Sequence, residues 1–191
     1  MIRARFGLLA AFVIALMCAV VLVSVLREHT STHLPLSDTA IIRAQASEKQ
    51  LDPALIAAVI YAESKFEPSE SSAGAQGLMQ ILPATAYYLA QLSGGRTFTA
   101  SDLSTPSVNV AYGSYYLRYL LDHYHGNEML AVAAYNGGLA NVDRWVAHAD
   151  AEGRTLSIDE IPFPETREYV QRVLSAQQSY RAQDAQQLGI D

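Results

Sequence analysis

The sequence predicts an all-α domain behind an N-terminal membrane-spanning helix, and three observations carry that prediction. Beyond position 37 the apolar residues recur at spacings of three and four, and no stretch there combines strict alternation with β-branched enrichment. Aspartate and proline starts followed by glycine stops divide the same region into helix-sized pieces. An uncharged, proline-free run from Phe6 to Leu26 stands apart from all of this. A chain of 191 residues accommodates that run and one core of ordinary size.

The run Phe6–Leu26 is about 21 residues long, enough for a helix to cross a hydrocarbon core of about 30 Å. Arg3 and Arg5 precede it, whereas Arg27 and Glu28 offset one another behind it, so the positive-inside tendency puts the N-terminus in the cytoplasm. A cleaved signal peptide would carry a shorter apolar core and a small-x-small site, and neither is evident, so an uncleaved anchor over residues 1–27 is the reading adopted. The expectation is a single pass through the cytoplasmic (inner) membrane, with the remainder in the periplasm. Cys18 lies within the run behind Met17, where a lipid-modified cysteine would need a small residue, and reads as a lipid-facing side chain.

Residues 28–36 (EHTSTHLPL), polar and ending near a proline, read as a linker. A first helix is predicted from Ser37 or Asp38 to about Glu48. A second begins at Asp52 as N-cap with Pro53 in the first helical position. Further helices are predicted from Pro83 to about Leu92, Pro106 to about Tyr124, Glu128 to Tyr135, Ala140 to Ala149 and Glu165 to about Gln178, with glycines after the first three of these. Loops are expected between Gly95 and Ser104 and between Ala151 and Pro164. The domain is assigned to residues 37–183 and a tail to 184–191.

Composition excludes several functions. Cys18 is the only cysteine, so the exported part has neither disulfides nor a cysteine-based metal site. A net charge of −6 without a basic stripe argues against nucleic acid as partner. His123 and His125 flank one tyrosine at a spacing that reads as helix surface rather than metal site. Tyr112, Tyr115, Tyr116 and Tyr119 fall at helical spacing and are read as core rather than as a sugar-stacking platform, and Trp145 likewise as packing.

Chemistry is suggested first in the second helix. Leu55, Ile56, Val59 and Ile60 form an apolar stripe, and continuing it from Ile56 by seven residues lands on Glu63. A carboxylate on a buried face has its charged form penalised, stays protonated nearer neutrality and serves as a general acid. Periodicity alone leaves a second reading, a carboxylate turning to solvent at the helix end. The residues after Glu63 favour the first: a loop of small residues, Pro68 to Gly74, runs into Gly77-Leu78-Met79-Gln80, where a backbone could pass close to a ligand.

Glu63-Ser64 followed by Ala73-Gly74-Ala75-Gln76-Gly77-Leu78-Met79-Gln80-Ile81-Leu82-Pro83 resembles the signature of the soluble lytic transglycosylase family, with its goose-lysozyme-like fold. Three later strings agree in order. Pro106, Asn109, Gly113, Tyr116 and Leu117 resemble a family helix; Ala134-Tyr135-Asn136-Gly137-Gly138 its Ala-Tyr-Asn-Gly motif; Ile161-Pro162-Phe163 with Glu165-Thr166-Arg167-Glu168-Tyr169-Val170 its closing motif. The resemblance covers about Leu51 to Leu174. The loop between Ser64 and Gly74 is about one residue shorter than the family pattern, which leaves Ser71 and Ser72 as alternatives for the site serine.

Carried over by residue, the resemblance implies that Glu63 is the catalytic acid/base and that Ser64, with Ser71 or Ser72, lies along the substrate. Met79 and Gln80 would line the cleft, and Tyr135 and Asn136 would border the reacting sugar. Glu165 would support the site or touch substrate, with a helix-start carboxylate favoured by the macrodipole as the equal alternative. The implied substrate is the glycan strand of peptidoglycan, cut between N-acetylmuramic acid and N-acetylglucosamine with closure of a 1,6-anhydro ring. No cofactor or metal is implied. A hydrolytic muramidase of the same fold would want a carboxylate such as Asp102 or Asp143 to activate water, and a non-catalytic wall-binding scaffold would not need Glu63. The expected partners are the wall, the membrane and an envelope or secretion machine.

Overall fold

The computed structural model describes residues 33–94 and 98–190, together with Met17. The chain divides into two units, Met1–His33 and Leu34–Asp191, and the elements named below belong to the second. The run predicted to span the membrane, and the 28–32 part of the linker, lie outside the described residues. Among the described residues no helix is long and apolar enough to cross a membrane.

In chain order the elements are α1 (Thr39–Lys49), α2 (Pro53–Ser64), the strands β1 (Ser69–Glu70) and β2 (Gln76–Gly77), and α3 (Pro83–Ser93). A 3-10 turn (Ala100–Ser104) leads into α4 (Pro106–His123), followed by α5 (Glu128–Gly137) and α6 (Leu139–Ala151). A second 3-10 turn (Ile158–Glu160) precedes α7 (Pro164–Gln183) and α8 (Ala185–Leu188). Every predicted helix of the domain forms, each within a few residues of its predicted ends.

The start of α2 follows from Asp52 and Pro53. The Asp52 Oδ1 accepts the Ala54 N–H at 3.0 Å, and Pro53 gives up a donor that the first turn could not use. Asp52 does more than cap: its Oδ2 accepts from Gln177 Nε2 at 2.7 Å and from Arg181 Nε at 3.0 Å, tying the start of α2 to the far end of α7. Between these ends α2 is enclosed rather than amphipathic. Ala54 to Ile60 are all buried, the expected stripe widening to the full circumference because α7 packs along one side and α1 along another. Burying Leu55, Ile56 and Ile60 contributes about 1.5–3 kcal/mol each.

Three departures from expectation have physical causes. The all-α prediction misses an antiparallel hairpin, Ser69 opposite Gly77 and Glu70 opposite Gln76, whose two-residue strands are too short to show alternation. The loops predicted before Ser104 and Pro164 contain the two 3-10 turns, each closed by a capping box, Thr99 with Asp102 and Ser157 with Glu160. The tail and the linker end are parts of the fold. Leu188 is buried and Arg43 Nη1 donates to the Gln187 carbonyl at 2.6 Å. Leu34 and Leu36 pack on the core while Tyr180 donates to the Pro35 carbonyl at 2.6 Å.

Candidate active site

Glu63 sits in the last turn of α2, which Lys65 and Phe66 end by adopting left-handed conformations with φ of 53° and 66°. Ser64 fastens this helix end to the segment after the hairpin: its hydroxyl lies 3.1 Å from the Ile60 carbonyl and 2.8 Å from that of Leu78. Ser64, expected along the substrate, thus forms a clasp between two backbones.

The segment Gln76–Ile81 is held from below by Asn109 of α4, which is fully buried and uses its whole amide. Its Oδ1 accepts the Met79 N–H at 2.8 Å, and its Nδ2 donates to the carbonyls of Gln76 at 2.7 Å and Leu103 at 3.0 Å. Only glycine fits at 77, where φ is +78° and a Cβ would lie 2.2 Å from Asn109 Nδ2. Gly113, one turn along α4, leaves room for the Met79 thioether, since a Cβ there would meet the sulfur at 2.3 Å. Met79, expected to line the cleft, therefore has a fully buried side chain and serves the site through its backbone. Gln80, at φ +45°, turns its amide onto the carbonyls of Ser69 and Gly77, each at 2.8 Å.

Two tyrosines close over Glu63. Tyr135 of α5 donates to the Met79 carbonyl at 3.0 Å, so both backbone polar groups of Met79 are engaged. Tyr169 of α7, only 2% exposed, donates to Glu63 Oε1 at 2.7 Å. Arg172 extends over the Tyr169 ring, its guanidinium carbon 5.9 Å from the centroid. Burial raises the Glu63 carboxyl to about 7, while the Tyr169 hydrogen bond and the Arg172 charge pull it down. The Tyr135 and Tyr169 hydroxyls are both pushed well up, by burial and then by the Glu63 charge. A half-buried carboxyl that is part protonated at neutrality, beside two tyrosines that stay neutral, is equipped to give a proton and take one back.

Asn136 and Glu165 meet elsewhere. Thr166 donates to Asn136 Oδ1 at 2.8 Å, joining α5 to the first turn of α7, and Asn136, Gly137, Phe163 and Glu165 border a surface cavity of about 370 Å³. Glu63 does not line it. Glu165 is exposed at a helix start, which fits the macrodipole reading as well as substrate contact. Ser71 shapes the hairpin turn, its Oγ accepting the Ala75 N–H at 3.0 Å, while Ser72 is exposed. Tyr169, unassigned by sequence reasoning, lies within the closing motif. Its position three residues after Thr166 and seven before Ala176 on the buried face of α7 was the available signal.

Residues 40–158 match the family model of the transglycosylase SLT domain, and residues 160–188 that of the soluble lytic transglycosylase helical domain. The chain is similar to the soluble lytic murein transglycosylase of Escherichia coli strain K12, 30% identical over 157 residues, 81% of this chain and 24% of that protein. It is also similar to the putative soluble lytic murein transglycosylase of Haemophilus influenzae, 34% identical over 153 residues, 78% of this chain and 25% of that protein. The fold superposes on an inactive mutant of lytic transglycosylase Slt from Pseudomonas aeruginosa with a TM-score of 0.72 and 34% identity, over 80% of this chain and 25% of that one. With the 70-kDa soluble lytic transglycosylase bound to bulgecin A the TM-score is 0.73 at 31% identity, over 78% and 25%. The chain spans about a quarter of the length of the curated relatives it matches.

Proposed function

Because this chain belongs to the transglycosylase SLT domain family, we propose that it is a peptidoglycan lytic transglycosylase with Glu63 as its single acid/base. The observation that carries the proposal is the Glu63 carboxyl itself, raised to about 7 by burial and held by Tyr169. In its protonated form Glu63 donates to the oxygen between N-acetylmuramic acid and N-acetylglucosamine. The bond from that oxygen to the muramyl anomeric carbon breaks through an oxocarbenium-like state, and the 2-acetamido group steadies the cation. The carboxylate then takes the proton of the muramyl 6-hydroxyl as that oxygen attacks the anomeric carbon. A 1,6-anhydro ring closes, no water is consumed and Glu63 is protonated again.

Most glycosidases divide this work between two carboxylates. Here the other candidates are engaged away from Glu63. The Asp102 Oδ2 accepts from the Thr99 N–H and hydroxyl at 2.8 and 3.0 Å, and the Asp143 Oδ1 pairs with Tyr124 and His123, each at 2.9 Å. This favours the single-acid route over hydrolysis. The uncharged run Phe6–Leu26 supports placement of the enzyme on the outer side of the cytoplasmic membrane, anchored by one helix, where the wall and an envelope or secretion machine are within reach.

The test is mass spectrometry of purified sacculi digested with the full-length chain in detergent and with its Glu63→Gln variant. Products lighter by one water than hydrolytic muropeptides, absent with the variant, are the expected result. Reducing-end products would reassign the chain as a hydrolase, and wall binding without products would make it a scaffold.

A further inference from the structure

We propose that a series of tyrosine rings, Tyr135, Tyr116, Tyr119 and Tyr88, forms a track that stacks successive sugars of a glycan strand leading away from Glu63. The inference rests on the glycan-cleaving function proposed for the chain and names the part of the surface that holds the strand. The rings touch in sequence. Tyr116 lies 5.3 Å from Tyr135 with planes 45° apart, Tyr119 lies 6.4 Å from Tyr116 with planes 15° apart, and Tyr88 meets Tyr119 edge-on at 6.4 Å and 81°. Each step is comparable to the length of one pyranose. The inner end is fixed at the chemistry, since Tyr135 holds the Met79 carbonyl and feels the Glu63 charge. The outer end is open: Tyr88 is 47% exposed.

The rings of Tyr135, Tyr116 and Tyr119 rest against the core without being enclosed by it. The core face of α4 is supplied by Val110, Leu117 and Leu120, all fully buried, and Tyr116 and Tyr119 project from another side, where they stay half-buried. The sequence-based reading of this stripe as core holds for the inner sides of Tyr112, Tyr116 and Tyr119, and the sides that stay accessible are the ones assigned to stacking. A pyranose presents an apolar face of C–H groups and an edge of hydroxyl and acetamido groups, and a tyrosine offers the matching pair, an apolar ring and a polar tip. Asp143 adds a fixed acceptor. Its carboxylate is 44% exposed and is oriented by Tyr124 and His123. Tyr87 provides an internal comparison: it is also 47% exposed on α3, but its ring meets Phe98, outside the series.

The experiment measures binding of N-acetylglucosamine dimers and hexamers to the full-length Glu63→Gln protein by calorimetry, then repeats it with Tyr88→Ala, Tyr88→Phe and Tyr87→Ala added. The hexamer is expected to bind more tightly than the dimer, to lose about tenfold in affinity with Tyr88→Ala, and to keep its affinity with Tyr88→Phe and Tyr87→Ala. Equal hexamer binding by Tyr88→Ala and its parent overturns the track, as does an equal loss with Tyr87→Ala or a parent that does not distinguish the oligomers. A parent that binds neither oligomer also overturns it. The glycan-cleaving function is decided separately by the products released from sacculi.

Discussion

The Tyr169 hydroxyl donates to Glu63 Oε1 at 2.7 Å, and this hydrogen bond is among those that join the two regions of the chain matching different family models. It stabilises the ionised carboxylate against the burial that would otherwise raise it further. In Tyr169→Phe the Glu63 pKa should rise above its value of about 7, so the alkaline limb of the kcat/KM profile should move to higher pH. The maximum should fall about tenfold, since the carboxyl loses the group that orients it. A pH–rate profile that does not move would remove Tyr169 from the acid/base apparatus.

Glu63 also ties stability to pH. Its folded-state pKa of about 7 lies above the ordinary value of 4.5, so the folded protein holds this proton more tightly than the unfolded chain does. Stability from this group is therefore complete below about pH 4.5 and declines as pH rises towards 7. Glu63→Gln escapes that decline. Thermal melts should show little difference at pH 4 and a variant more stable by about 1–2 kcal/mol at pH 8, a few degrees in Tm after allowance for solvent screening. A variant no more stable at pH 8 than at pH 4, relative to the parent, would contradict the raised pKa.

Asn109→Ala leaves the Met79 N–H and the Gln76 and Leu103 carbonyls without their buried partner. The expected cost is about 2–4 kcal/mol in urea unfolding. Amide exchange at Met79 should quicken more than global unfolding accounts for, because the turn loosens before the domain opens.

Asp52→Ala removes an N-cap and the acceptor for Gln177 and Arg181 together. A loss of about 2 kcal/mol is expected, more than the roughly 1 kcal/mol of a cap alone. Calorimetric unfolding measures it. A loss no larger than that of a simple cap would show that the tie to α7 is energetically idle.

The helical frame was legible because its signals are local. Asp52-Pro53 and the prolines at 83 and 106 place helix starts without any knowledge of neighbours. Periodicity pointed to Glu63 but left its burial open, and the motif that follows it singled it out. What stayed hidden depends on contacts between distant residues. Ser64 and Gln80 read as polar groups for a substrate, yet their partners are backbone carbonyls at Leu78, Ser69 and Gly77. The Tyr169 hydroxyl reaches across 106 positions of sequence, and no local pattern encodes that distance. The tyrosines of α4 share one spacing, but only packing shows that Tyr112, Tyr116 and Tyr119 rest half-buried against a core whose centre the leucines fill.

Met79 and Gly113 occupy one volume: the thioether fills the space that any side chain at 113 would need. Position 113 is not free to vary while residue 79 carries a side chain. A Cβ at 113 would lie 2.3 Å from the Met79 sulfur and 2.8 Å from the Met79 Cβ, so shortening residue 79 alone does not admit it, and a shortened 79 leaves a hole beside Gly113. Selection acting on this protein therefore meets glycine at 113 as the condition on which any side chain at 79 depends, and variation at the pair is confined to residue 79.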